Sequence, residues 1–114
     1  MMKLAIVGTR NPSVPYDEWK KLFSIENVTE IVSGGAKGID TYAEQLALES
    51  NIKLKVFKPD YKKFGRNATI LRNNEIAEYC DRVIAFPSTE SRGTYDTIKK
   101  ARMMNKSVKV IFIH

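Results

Sequence analysis

The sequence predicts an α/β fold, a Rossmann-like three-layer domain in which a five-stranded parallel sheet carries helices on both faces. Short apolar segments alternate with longer segments of helical period along the whole chain, and glycine, serine or proline stands where most apolar segments end. Strands joined through helices form right-handed crossovers, so this alternation favours parallel strands. We expect the strand order 3-2-1-4-5 and about four helices, in one domain over residues 1–114.

The first half of the chain supplies the clearest periodic segments. Residues 3–7 are predicted to form the first strand, residues 16–23 the first helix and residues 28–32 the second strand. The next helix has the strongest pattern, because its apolar side chains recur every three or four residues and so lie on one face. These side chains are Ile39, Tyr42, Ala43, Leu46 and Ala47.

The second half repeats the alternation. Residues 52–57 are predicted to form the third strand, which Pro59 stops, and residues 66–79 the next helix. That helix is predicted although Asn73 and Asn74 are poor helix formers. Residues 82–86, 93–104 and 108–113 complete the chain as strand, helix and strand.

Composition narrows the classes of function. The 114 residues fit one domain and carry a net charge of +6, which suits anionic partners such as nucleotides or nucleic acid. Cys80 is the single cysteine and His114 the single histidine, so we expect no disulfide, no metal site and no histidine-based catalysis. The apolar run at residues 4–7 is too short for a signal peptide or a membrane span, and we expect a cytoplasmic protein.

Ligands of parallel α/β sheets bind beyond the carboxyl ends of the strands. Three segments in that position, residues 8–11, 33–38 and 88–94, are rich in glycine, hydroxyl side chains or arginine. Glycines let a ligand approach the backbone, and the N–H groups at a helix start attract anions. Together with two polar residues from the helix at 66–79, they supply the predicted ligand-binding residues Gly8, Thr9, Arg10, Ser33, Gly34, Gly35, Gly38, Arg72, Asn73, Ser91, Arg92, Gly93 and Thr94.

Each of these features also has a purely structural interpretation. The glycines of residues 33–38 match neither the Walker pattern nor the dinucleotide fingerprint, and glycines can simply turn a strand into a helix. Ser91 and Thr94 are suitable helix caps, and Arg10 is suitable for an ordinary surface position. Arg72 and Asn73 equally fit a solvated helix face. Asp40 suits a helix start whether or not it also serves a site.

Four segments together resemble the SLOG superfamily, which groups the DNA-processing protein DprA with LOG-type nucleotide enzymes. Residues 6–10 are similar to its opening strand and G-S-R turn, and residues 31–40 to its S-G-G-A-x-G-x-D loop. Residues 72–77 resemble its R-N-x-x-[IM] helix, and residues 91–98 its S-x-G-T-x-x-T-I loop and helix. The resemblance is greatest to the small single-domain YspA/YpsA-related branch and covers nearly the whole chain.

The resemblance implies a nucleotide-derived ligand and leaves three functions open. The first is a module that senses or sequesters a nucleotide-derived small molecule without a further cofactor. The second is a LOG-like phosphoribohydrolase of nucleoside 5'-monophosphates, with Arg72 and Asp96 as candidate catalytic residues. LOG enzymes carry a glutamate three residues after the G-T pair, where this chain has Thr97, so we expect binding without turnover.

The third function is DprA-like binding of single-stranded nucleic acid. Base stacking needs aromatic side chains near basic ones, and Tyr61, Phe64 and Tyr79 are the candidates, with core packing an alternative for at least one. The chain is also predicted to self-associate, most simply as a homodimer, because a domain of this size buries limited surface.

Overall fold

The protein is described by a computed structural model that covers residues 2–113. Its strands follow the predicted alternation with small changes at their ends. They are Met2–Gly8 (β1), Val28–Ser33 (β2), Lys53–Val56 (β3), Arg82–Phe86 (β4) and Ser107–Val110 (β5). β3 and β5 are shorter than expected, although just beyond them the Phe57 N–H still donates to the Ser33 carbonyl oxygen at 2.9 Å and the Ile111 N–H to the Ala85 carbonyl oxygen at 2.8 Å.

The sheet confirms the predicted topology. All of its strand pairs are parallel, and its five strands lie in the order β3-β2-β1-β4-β5. β1 is central and pairs with β4 as far as Gly8 and Phe86. From β1 the chain continues to β2 and β3 on one side of the sheet, and β4 and β5 lie on the other side. The loops that follow β1 and β4 therefore flank one crevice.

The helices correct the sequence prediction in two places. They are Tyr16–Trp19 (α1), Ile39–Glu49 (α2), Tyr61–Phe64 (α3), Ala68–Tyr79 (α4) and Arg92–Met103 (α5), with a 3-10 turn at Gly65–Asn67. The helix expected at 16–23 ends at Trp19, and its remaining residues form turns. The short helix α3 was missed; the Asp60 carboxylate caps its first turn by accepting a hydrogen bond from the Lys63 N–H at 3.1 Å.

Helices cover both faces of the sheet, as the three-layer prediction requires. On one face Trp19 and Phe86 pack with α2, whose buried side chains include the predicted Ile39, Ala43 and Leu46. The other face packs against α4 and α5 through smaller residues. The face under α4 and α5 thus has little side-chain bulk between sheet and helix, and this places α4 close to the carboxyl ends of β1 and β2.

The turns at the amino ends of three strands each contain an asparagine in the left-handed backbone conformation. Asn27, Asn51 and Asn105 have positive φ angles of 67°, 55° and 60°, and they precede β2, β3 and β5 by one or two residues. Asparagine tolerates this left-handed conformation better than most side chains. The chain therefore reverses at this edge of the sheet without glycine.

Two further findings concern the residues that the structure describes. None of the helices within 2–113 is long and apolar enough to cross a membrane. Over the same range, histidine, cysteine and acidic side chains form no group that could hold a metal ion.

Candidate functional site

The predicted loops meet around one cleft at the carboxyl edge of the sheet. Its volume is about 400 Å³, and the end of β1, the loops after β2 and β4, and the helices α4 and α5 form its walls. Ten of the predicted ligand-binding residues line it: Gly8, Thr9, Arg10, Gly34, Arg72, Asn73, Ser91, Arg92, Gly93 and Thr94.

Three predicted residues lie outside that wall. The Ser33 side chain is buried beneath it and donates to the Asp40 carbonyl oxygen at 3.3 Å, while accepting from the Gly35 N–H at 3.2 Å. Gly35 lines a neighbouring groove instead. Gly38 packs directly on the backbone of the loop after β1, where a β-carbon would come 2.4 Å from the Thr9 carbonyl oxygen. For Gly38 the structure supports the interpretation as a packing residue.

Arg72 reaches across from α4 to the loop after β2. Its side chain is 8% exposed, and its Nη1 donates to the carbonyl oxygen of Gly34. A β-carbon at Gly34 would lie 2.7 Å from that nitrogen and 2.9 Å from a carboxylate oxygen of Asp40. Glycine at position 34 is therefore what allows an arginine and an aspartate to flank the same backbone atom. The alternative that Arg72 lies on a solvated helix face is wrong.

Asn73 fixes the position of the Arg72 guanidinium. It is 4% exposed, and its Oδ1 accepts from the Arg72 Nε at 2.9 Å. Its Nδ2 donates to the Gly93 carbonyl oxygen at 3.3 Å and to Asp96 Oδ2 at 3.1 Å. The same carboxylate accepts from Lys100 Nζ at 2.9 Å. Asn73 thus links the arginine on α4 to the first turns of α5.

The start of α5 presents Thr97, and not Asp96, to the cleft. Thr97 is 1% exposed, lines the cleft and donates through its hydroxyl to the Gly93 carbonyl oxygen at 3.1 Å. Asp96 does not line the cleft. One residue along a helix turns a side chain by about 100°, which accounts for this difference.

The loop after β4 is organised by two serines. The Ser91 Oγ accepts from the Ser88 N–H at 2.9 Å, and the two hydroxyl oxygens are also 2.9 Å apart. Although Ser91 stands at the cap position of α5, its side chain does not cap the helix. Thr94 lies inside α5, so neither residue is the helix cap that the structural interpretation proposed.

Burial and neighbouring charges shift the pKa values of two groups in the cleft. Burial raises the pKa of Asp40 to about 6, although a hydrogen bond from the Ala36 N–H at 3.1 Å and the positive charges of Arg72 and Arg10 act against this shift. Burial lowers the pKa of Arg72, and the Asp40 carboxylate acts in the opposite direction. A buried carboxylate thus lies beside the most buried cation of the cleft.

A second groove continues the cleft toward β3. Its volume is about 820 Å³, and it shares with the cleft the residues Arg10, Asn11, Gly34, Ala36 and Arg72. We call it the outer groove. Its far wall adds Lys37, Lys58 and Tyr61, and the Tyr61 side chain is 59% exposed.

The sequence analysis singled out Tyr61 as one of several aromatic residues but did not place Lys58 or Asp40 in the site. Lys58 follows the carboxyl end of β3, so the rule used for the other three strands would have found it. Asp40 belongs to the S-G-G-A-x-G-x-D segment that was singled out for its glycines. Of the other aromatic candidates, Phe64 is 40% exposed, whereas Tyr79 packs on Phe57 with ring centroids 5.4 Å apart.

Fold and cleft together define a Rossmann-like α/β protein that gathers arginine, hydroxyl side chains and glycine-bearing loops at the carboxyl edge of its sheet. The chain belongs to the DNA recombination-mediator protein A family, whose model matches residues 1–59. This finding agrees with the resemblance to the DprA-containing superfamily. No curated protein sequence matches the chain significantly.

Two solved structures share the fold. DNA processing protein A (DprA) from Streptococcus pneumoniae superposes with a TM-score of 0.79 at 25% identity, over 96% of this chain and 50% of that protein. DprA from Helicobacter pylori, in a structure that describes its single-stranded DNA binding mode, has a TM-score of 0.74 at 24% identity, over 96% of this chain and 64% of that one. The chain thus spans half of one and less than two thirds of the other.

Proposed function

We propose that the chain binds single-stranded nucleic acid along the carboxyl edge of its sheet, with a backbone phosphate in the cleft and the adjoining nucleotide in the outer groove. The observation that carries this proposal is the continuity of the two concavities, which share the side chains of Arg10 and Arg72. A closed pocket would take one nucleotide only. An open groove of this length accommodates a strand that enters and leaves.

The chemistry of the walls suits a strand without sequence preference. An arginine side chain can donate two parallel hydrogen bonds to two oxygens of one phosphate. The exposed ring of Tyr61 offers a flat surface on which any base can stack. Lys37 and Lys58 lie on the same wall as Tyr61. The family membership and the single-stranded DNA binding of the Helicobacter pylori protein support the same class of partner.

The test is fluorescence anisotropy with a labelled oligothymidylate of about ten nucleotides. We expect Arg72→Ala to weaken binding by about tenfold or more, because charge-assisted hydrogen bonds to phosphate are lost. Arg102→Ala is the matched control, since Arg102 is exposed on α5 away from the cleft and the change in net charge is the same. Equal affinities for the two variants would contradict the proposal.

Tyr61→Ala provides a test that does not alter a buried side chain. Loss of one stacked base costs about 1–3 kcal/mol, which corresponds to about fivefold or more in affinity. Wild-type binding should also fall steeply with salt concentration, since bound phosphates release counterions. If the oligonucleotide affinity changes neither in Tyr61→Ala nor with salt concentration, the strand does not bind at the proposed site.

A nucleotide-derived small molecule is the second candidate, favoured by the size of the cleft. A volume of about 400 Å³ falls in the range of ordinary ligand sites, and hydroxyl groups of Thr9, Ser91 and Thr94 lie on its walls. Native mass spectrometry of protein purified without stripping would reveal such a ligand. Its affinity should depend on salt less than that of an oligonucleotide.

Hydrolysis of nucleoside monophosphates is not part of the proposal. Arg72 lines the cleft, but Thr97 takes the position of the LOG glutamate, and Asp96 is hydrogen-bonded to Asn73 outside the cleft. We expect no free base after incubation with AMP, GMP or CMP. Release that disappears in both Arg72→Ala and Asp96→Asn proteins would establish the hydrolase instead.

Three narrower expectations from the sequence remain predictions. They are membership of the YspA/YpsA-related branch, a cytoplasmic location and self-association. Light scattering at micromolar concentration tests the last, and a strictly monomeric mass would contradict it.

A further inference from the structure

An acidic side chain stands inside a cleft that is otherwise arranged for anions. The Asp40 carboxylate is part of the cleft wall, yet the residue is only 6% exposed. It is anchored there, because its Oδ2 accepts from the Ala36 N–H at 3.1 Å and lies on one side of Gly34, with the Arg72 guanidinium on the other. The loop geometry therefore holds a negative charge beside the principal cation.

This carboxylate changes the charge that a ligand meets. The cleft wall carries the three arginines Arg10, Arg72 and Arg92 and the two carboxylates Asp40 and Glu90, which leaves one net positive charge. Arg10, Glu90 and Arg92 are exposed, so water screens their charges. Asp40 is buried, so its repulsion of a second negative charge on the ligand is screened least.

We propose that Asp40 is a specificity-determining residue that selects singly charged phosphodiesters over doubly charged phosphomonoesters. The inference rests on the proposed function and adds the class of phosphate that the cleft accepts. An internal phosphate of a strand carries one negative charge, whereas a terminal phosphate carries close to two above its second pKa of about 6. A wall with one net positive charge complements the first and leaves the second partly unbalanced.

The charged groups around Asp40 are consistent with this role. Arg72 faces it from α4, Arg10 from the loop after β1 and Glu44 from the next turn of α2. Burial, together with the negative charge of Glu44, outweighs the two arginines and raises the pKa of Asp40 to about 6. Above that pH the carboxylate is charged and selects against dianions; below it the selection is lost.

The experiment compares two probes at about pH 8, the dinucleotide TpT, which has one phosphodiester, and thymidine 5'-monophosphate. Isothermal titration gives the ratio of their affinities for the wild-type protein, Asp40→Asn and Asp17→Asn. The asparagine at position 40 keeps an acceptor for the Ala36 N–H. Asp17 is 85% exposed on α1, so its substitution removes the same charge outside the cleft.

We expect Asp40→Asn to shift the affinity ratio about tenfold toward the monophosphate, since one charge is removed within a few ångströms of the bound phosphate. Asp17→Asn should leave the ratio within about twofold of wild type. An unchanged ratio in Asp40→Asn overturns the charge selection while the proposed function stands. If the wild-type protein binds neither probe, the charge selection is overturned, and the oligothymidylate titration decides whether the proposed function is overturned with it.

A second measurement needs no substitution. Sulfate is doubly charged and TpT singly charged throughout the range from about pH 8 to about pH 5, so only the protein changes its charge state. Sulfate should compete better with TpT as the pH falls through about 6, where Asp40 takes up a proton. A competition constant that is independent of pH would overturn the role of Asp40 even if the asparagine variant does not fold.

Discussion

The two glycine-bearing segments that flank the cleft, after β2 and after β4, are held in place by different interactions. In the loop after β2, Gly38 has a φ of 75° and no room for a β-carbon, and Gly34 separates two charged side chains. At the start of α5, where the loop after β4 ends, a β-carbon on Gly93 would have as its nearest neighbour the Asn73 Nδ2 at 3.8 Å, which is ordinary contact. The first loop is therefore fixed by packing, whereas the second is fixed by hydrogen bonds and has space around it.

This difference shows that a glycine motif can be required by backbone packing alone and does not by itself indicate a ligand. Gly38 and Gly93 both looked like anion-binding positions because each stands near a helix start. Only Gly93 lines the cleft, and Gly38 lets the start of α2 lie against the backbone of Thr9. The following substitutions test the contrast in order of the size of their expected effects.

Gly38→Ala should have the largest effect on stability. The added β-carbon would meet backbone atoms of Thr9 and Arg10 at 2.4 to 2.6 Å, and the positive φ adds strain. We expect the free energy of unfolding to fall by about 3 kcal/mol or more, measured by urea denaturation. Gly65→Ala is the matched control, because Gly65 has a φ of 54° and open space around its α-carbon, and it should cost only about 1 kcal/mol.

Asp40 gives the next largest effect, and it depends on pH. Its pKa in the folded protein, about 6, lies above the value of about 4 in an unfolded chain, so the folded state binds more protons between these values. The free energy of unfolding should therefore fall as the pH rises from about 4 to about 6, by about 2 kcal/mol, and then level off. The difference between the wild-type protein and Asp40→Asn isolates this contribution from other carboxylates; a difference that does not change with pH would show that Asp40 is well solvated.

Gly34→Ala should affect binding more than folding. A methyl group there would displace the ends of two side chains, Arg72 and Asp40, and side chains move more easily than backbone. Oligonucleotide affinity should fall by about tenfold, because the Arg72 guanidinium is displaced from its position in the cleft. If affinity is kept while stability drops sharply, the contact between Gly34 and Arg72 serves the fold and not the ligand.

Gly93→Ala should have the smallest effect. Gly93 lies in the first turn of α5 at a φ that any residue adopts, so alanine should raise the free energy of unfolding by about 0.5 kcal/mol. Binding should change by less than about threefold. A loss of binding as large as that of Gly34→Ala would show that the second loop is as tightly fitted as the first.

Most of the fold was predictable because it follows from periodicity and from rules of chain connection. The parallel pairing of the strands follows from the alternation of elements, and the buried face of α2 from the spacing of Ile39 to Ala47. The short helix α3 was not predicted, because four residues carry no readable period and Pro59 suggested only an interruption. Its place beside the outer groove follows from the Asp60 cap, which is a local contact.

The candidate site was predicted at the level of loops and less well at the level of side chains. That Arg72 is buried and points at Gly34 could not be read from the sequence, since a polar segment in a helix usually faces water. The Asp40 carboxylate is held locally by the Ala36 N–H, but its place beside Arg72 depends on the close approach of α4 to the loop after β2. Such contacts join residues more than thirty positions apart, and no local pattern encodes their distance.

The asparagine turns at the amino ends of β2, β3 and β5 lie at the edge of the sheet opposite the cleft, which we call the amino edge. Strands of four to seven residues separate the two edges by about 15–20 Å, more than a Debye length at physiological salt. Dyes, tethers or surface charges attached near Asn27, Asn51 or Asn105 should therefore leave the electric field in the cleft almost unchanged. The amino edge is the natural place to immobilise this protein for single-molecule or surface-based binding measurements.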